Sequence, residues 1–195
     1  MPNNDNGPNK RRIVPEVLTE DERGALLKQP SKRAPTGLRN LTMMRMMLDT
    51  GLRVSEVLSL RVSEVDWMSG KVTVKQGKGR KDRILWLNED ALGQLRAWRE
   101  RRPVATELLF TTLAGKRVRD NYLWAMVKRY AGKAGIDKNV HPHTLRHTFA
   151  TDLYRETKNI RLVQKALGHA DLSTTMIYTH IVDEELEDAL RTFRS

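Results

Sequence analysis

The run Val72-Thr73-Val74-Lys75-Gln76-Gly77-Lys78-Gly79-Arg80-Lys81-Asp82-Arg83-Ile84-Leu85-Trp86-Leu87 is where the chain changes its period. Val72 and Val74 alternate with polar residues, Ile84 to Leu87 form an apolar run, and Gly77-Lys78-Gly79 lies between them, as in two strands joined at a glycine-bearing turn. From Val65 to Leu87 this pattern predicts a β-hairpin within a small three-stranded antiparallel sheet. Elsewhere apolar residues recur at helical spacing. The fold class that follows is mainly α (α+β): a helical domain with one small sheet.

Upstream, Thr19-Glu20-Asp21-Glu22 places a hydroxyl and then acids where a helix start needs them, predicting a short helix to about Lys28. Basic, proline-bearing residues 30–35 read as a loop. Leu41, Met44, Met47 and Leu48 then give a helix whose methionine-rich face suits a core. Gly51 ends it, and Val54, Val57 and Leu58 open another. Downstream, helices are expected over Glu89–Arg101, Arg119–Ala134, His143–Arg155, Ile160–Leu167, Ser173–Tyr178 and Glu184–Phe193.

The 195 residues fit one domain with one substantial core, read as a flexible basic tail over 1–15 and a catalytic-sized unit over 16–195. Lys and Arg number 35 against 24 Asp and Glu, a net charge of +11 that favours a polyanionic partner, nucleic acid or an anionic membrane face. No run approaches ~18 apolar residues, which argues against a membrane span and a signal peptide. There are no cysteines, so disulfides and thiolate metal sites are excluded and a cytoplasmic setting is expected.

Three blocks carry chemistry. In Thr50-Gly51-Leu52-Arg53-Val54-Ser55-Glu56-Val57, a guanidinium stands at a turn-to-helix junction with a carboxylate one turn later to orient it. Alone, such a pair is an ordinary helix-surface ion pair. In His141-Pro142-His143-Thr144-Leu145-Arg146-His147, Pro142 precedes a helix that puts His143 and Arg146 on one face. His143 and His147 at four-residue spacing mimic a metal pair, yet no His-Glu-x-x-His pattern and no third ligand accompany them. In Leu167-Gly168-His169, an imidazole follows an exposing glycine nine residues before Tyr178. The hairpin's Gly77-Lys78-Gly79 lacks the Walker pattern, and Arg80, Lys81 and Arg83 read as phosphate contacts rather than catalysts.

From about Leu18 to His180, these motifs, in this order and at these separations, resemble the tyrosine recombinases, the family of phage integrases and Xer-type chromosome resolvases. The resemblance implies that Arg53 and Arg146 are the two catalytic arginines, with Glu56 supporting the first. It makes Lys78 the hairpin lysine, His143 and His169 the two histidines, and Tyr178 the nucleophile. Charge building on a phosphate under attack needs guanidinium forks that do not deprotonate. A phenol with a pKa near 10 needs a base, for which His143 is the first choice. The departing 5′-oxygen needs a proton, assigned to Lys78, while His169 donates to the phosphate. No ATP, redox cofactor or metal is implied.

Implied partners are double-stranded DNA and, on paired sites, three further copies, making a homotetramer from a protein monomeric in solution, with accessory DNA-bending proteins a further expectation. A C-terminal amphipathic helix with Leu186, Ala189, Leu190 and Phe193 on one face would dock on its own domain or on a neighbouring copy. Most family members carry a separate helical domain before the catalytic one, whereas only residues 1–15 precede the first matching helix here. The expectation is a minimal recombinase or a catalytic-domain fragment. Competing readings are a type IB topoisomerase and a DNA-binding regulator without catalysis.

Overall fold

Thr19 and Glu22 cap each other's backbone, with Thr19 Oγ1 accepting from Glu22 N at 3.2 Å and Glu22 Oε2 accepting from Thr19 N at 2.7 Å. This closes the start of α1 (Glu20–Lys28) in a computed structural model that describes residues 15–75, 82–179 and 191. Pro35 opens α2 (Pro35–Thr50), and Gly51 ends it in the left-handed region at φ 64°. A Cβ there would lie 2.4 Å from the Phe149 ring, so both the backbone angle and the space demand glycine.

Helix α2 is the centre of the molecule. Met43, Met44, Met46 and Met47 are all buried, and the helix packs against α4 (Glu89–Arg101) and α6 (Pro142–Thr157). A helix that is apolar around most of its circumference belongs in an interior. Trp98 of α4 is fully buried there, donating from Nε1 to the Leu109 carbonyl at 2.9 Å. Helices α3 (Val54–Ser59), α5 (Asp120–Lys133) and α7 (Ile160–Leu167) complete the shell.

Strands β1 (Lys71–Val74) and β2 (Arg83–Trp86) pair antiparallel, with Val72 opposite Leu85. The expected third strand is reduced to one bridge between Val65 and Val72. A 3₁₀ turn over Val62–Glu64 runs directly into Val65, and Gly70 N–H bonds back to Asp66 O at 3.0 Å, so no extended length remains for pairing. The expected helix over Ser173–Tyr178 is also corrected. Asp171 caps a 3₁₀ turn at Leu172–Thr174, and helical backbone resumes only at Ile177.

Most apolar side chains form one core. A second, smaller cluster joins Ala150, Val163, Leu167 and Tyr178 where α6, α7 and the segment after α7 meet. The segments that would carry Lys78, Arg80, Lys81 and the C-terminal helix lie outside the described residues.

Candidate active site

Arg53 is the N-cap residue of α3, so its side chain leaves the chain where a helix begins. Glu56, one turn on, accepts from Arg53 N–H at 2.8 Å and from its guanidinium at 2.9 Å. The same carboxylate takes both terminal nitrogens of Arg83, each at 2.8 Å, while Arg83 Nε donates to the Ala166 carbonyl at 2.8 Å. This corrects the reading of Arg83 as a phosphate contact. Its residue is 7% exposed and its fork is committed to Glu56, so it ties β2 to α3 and α7. Burial pushes the Glu56 carboxyl up, but the hydrogen bonds and charge of Arg83, aided by Arg53, overcome this and bring it to about 2.

Helix α6 delivers three more groups. His141 caps it, Pro142 fills its first position, and His143, Arg146 and His147 follow within the first two turns. Arg146 is buried and donates to three acceptors: the Gly51 carbonyl, the Leu167 carbonyl at 2.9 Å, and His169 Nε2 at 3.0 Å. Both carbonyls stand at the ends of helices closed by left-handed glycines, Gly51 and Gly168, where helix acceptors are unpaired. Burial, then the nearby charge of Arg53, lowers Arg146 to about 10, which leaves it cationic at neutral pH.

Because a guanidinium only donates, His169 Nε2 must accept, which puts the ring proton on Nδ1, 3.0 Å from Thr175 Oγ1. Burial and the charge of Arg146 hold His169 at about 4, so it is neutral in this arrangement.

The phenol of Tyr178 is 1% exposed, and burial raises it to about 12 against the pull of Arg146. Its Oη lies 2.8 Å from His147 Nδ1. His143, the residue first chosen as base, instead sits exposed with its ring edge-on to Trp124 (centroids 5.5 Å apart) and beside His141 at 6.0 Å. In the sequence His147 reads only as half of a metal pair, although its four-residue spacing from His143 and its place beside Arg146 are both visible there. Trp124 left no signal at all.

Arg53, His143, Arg146, His147, His169 and Tyr178 thus line one open cavity of about 1140 Å³. Among the described residues, no three His, Asp or Glu side chains converge as metal ligands. The other tyrosines have different duties. Tyr122 and Tyr130 hydrogen-bond the buried Arg39–Asn40 pair, and Tyr154 packs beside the smaller core.

Residues 16–185 match the phage integrase family. The tyrosine recombinase XerD of Ralstonia nicotianae is 42% identical over 179 residues, covering 89% of this chain and 58% of the relative. The crystal structure of XerA recombinase superposes with a TM-score of 0.81 at 34% identity, covering 94% of this chain and 67% of that one. The XerH site-specific recombinase bound to palindromic difH substrate, a post-cleavage complex, superposes with a TM-score of 0.79 at 34% identity, covering 93% and 54%. Curated XerD relatives are spanned by the chain over 58% to 65% of their length.

Proposed function

The chain belongs to the phage integrase family, and from that premise we propose that it carries out site-specific DNA recombination by strand cleavage and rejoining through a 3′-phosphotyrosyl intermediate. One observation carries the reading: buried Tyr178 lines the same cavity as three imidazoles and four arginines, Arg53 and Arg146 among them. Arg53 and Arg146 supply bidentate charge to the non-bridging oxygens of a phosphodiester. Tyr178 Oη attacks phosphorus, an imidazole of the cavity takes its proton, and the P–O5′ bond breaks. Lys78 is assigned to protonate the leaving 5′-oxygen. His143 and His169 flank the phosphate; for His169 to donate through Nε2, Arg146 must release that nitrogen and the ring must gain a proton there, by changing tautomer or by becoming imidazolium, as the phosphate arrives. The phosphotyrosine keeps the energy of the broken bond, so a 5′-hydroxyl from another strand reverses the step without a nucleotide cofactor.

Double-stranded DNA is the proposed partner, supported by the +11 charge and by the difH-bound XerH relative. A nicked suicide duplex carrying a cognate site, incubated in EDTA, is expected to trap a covalent adduct that disappears in Tyr178→Phe and persists in Tyr154→Phe. No adduct from the unaltered chain, or one that survives in Tyr178→Phe, overturns the assignment. Exchange of strands between two sites, rather than relaxation of one plasmid, separates recombinase from topoisomerase.

A homotetramer on paired sites is the proposed assembly, with the helix expected over Asp183–Phe193 linking neighbours. Deleting 183–195 is expected to weaken the DNA-bound tetramer in a gel-shift experiment while single-site binding persists. Unchanged assembly counts against that role.

A further inference from the structure

We propose that His147, rather than His143, is the group that accepts the Tyr178 proton during attack and returns it during resealing, an assignment that rests on the recombinase reading above. The contact is direct: Nδ1 stands 2.8 Å from the nucleophilic oxygen, within the reach that proton transfer requires. The two rings lie 5.8 Å apart and tilted by 49°, a hydrogen-bonded arrangement rather than a stacked one.

The surroundings keep this imidazole ready to accept. The groups that face it are His141, His143 and Arg146 on its own helix, and His169 and Tyr178 from the segment after α7. Burial, then His143, Arg146 and His141, hold His147 at about 4, so it is neutral at physiological pH; in the tautomer that carries its proton on Nε2, the Nδ1 lone pair accepts from the phenol. Such a weak base does not deprotonate a resting phenol held at about 12. The transfer runs with attack instead. As the Oη–P bond forms, the oxygen becomes an ester oxygen and loses its basicity, so its proton passes to Nδ1 while P–O5′ breaks. The arriving phosphate, being anionic, favours the imidazolium that results. In reverse, a 5′-hydroxyl attacks phosphorus and the imidazolium reprotonates Tyr178 as it departs.

Position 147 follows Arg146 by one residue on a rigid helix. The group that holds the phosphate and the group that holds the nucleophile are therefore set by the same backbone. His143, exposed at the rim, is left to serve the phosphate from the solvent side.

The test compares His147→Asn, whose amide oxygen keeps a hydrogen-bond acceptor but takes no proton, with the unaltered chain. Each is made with tyrosine or a more acidic fluorinated tyrosine at 178, and adduct formation is timed in single turnover across pH. The expected result is a loss of about 10²- to 10³-fold in His147→Asn at neutral pH, with a rate that climbs as pH rises. The acidified nucleophile should recover at least about tenfold of that loss and change the unaltered chain far less. A His147→Asn rate within about threefold of the unaltered chain overturns the proposal, and so does a deficit that the acidified tyrosine leaves untouched. If the unaltered chain forms no adduct, the recombinase reading falls and takes this one with it.

Discussion

The guanidinium of Arg146 lies 3.0 Å from His169 Nε2 and at the same time holds the carbonyl oxygens of Gly51 and Leu167. One side chain therefore fixes the ends of α2 and α7 relative to each other and carries the charge that a phosphate would meet. Its two duties share the same five donors.

Lysine supplies the charge without the fork. In Arg146→Lys, single-turnover cleavage of the suicide duplex is expected to fall by about 10²- to 10³-fold, since one ammonium cannot serve two carbonyls, an imidazole and a phosphate at once. A lowered thermal midpoint should accompany it. A variant that cleaves normally would separate Arg146 from the chemistry.

Gly51→Ala probes the same carbonyl from the other side. The left-handed backbone alone costs about 1–2 kcal/mol for a residue with a Cβ, and the 2.4 Å approach to Phe149 adds to that. Denaturant unfolding should show the loss. Cleavage by the fraction that remains folded should fall as well, because the displaced carbonyl no longer positions Arg146. Full activity per folded molecule would show that the Gly51 contact is dispensable.

Glu56 gives the fold an acid limit. Its folded value of about 2 lies below the ordinary carboxylate value of 4.5, so its contribution is fully present above about pH 4.5 and is lost as pH falls through the folded value. That contribution is on the order of 3 kcal/mol. Between pH 5 and 2, unfolding midpoints of the unaltered chain should drop more steeply than those of Glu56→Gln. Parallel curves would sever Glu56 from acid stability.

Trp124→Ala should free the His143 ring. Although the residue is exposed at the rim, partial desolvation of its ring is the first cause that lowers His143, followed by His141 and Arg146, so removing the indole is expected to raise its titration midpoint towards the ordinary 6.5. Imidazole proton resonances followed across pH would report it. An unmoved midpoint would show that the indole does not shield the ring.

Much of this arrangement was legible in the sequence because it is local. The Thr19–Glu22 cap, the Gly51 break and the Arg53–Glu56 spacing depend on residues within one turn of each other, and the structure reproduces them. The misreadings were matters of long-range packing. Arg83 looked like one more cation on a basic hairpin, yet Glu56, 27 residues earlier, claims both its terminal nitrogens. The partner of Tyr178 depended on how a segment 31 residues downstream folds back onto α6, which no local spacing encodes. The third strand failed for a simpler reason: Val65 bridges Val72, but the Asp66–Gly70 turn leaves no chain to pair further.

Arg146 and His147 are neighbours on α6, and adjacent helical residues point about 100° apart. One faces the cation's acceptors, the other the phenol. A small roll of that helix about its long axis would therefore bring one group forward and draw the other back, like two teeth on a single gear. Selection acting on this domain has no independent dial for grip on the phosphate and readiness of the nucleophile, and a substitution in the packing beneath α6 would register as a trade between the two.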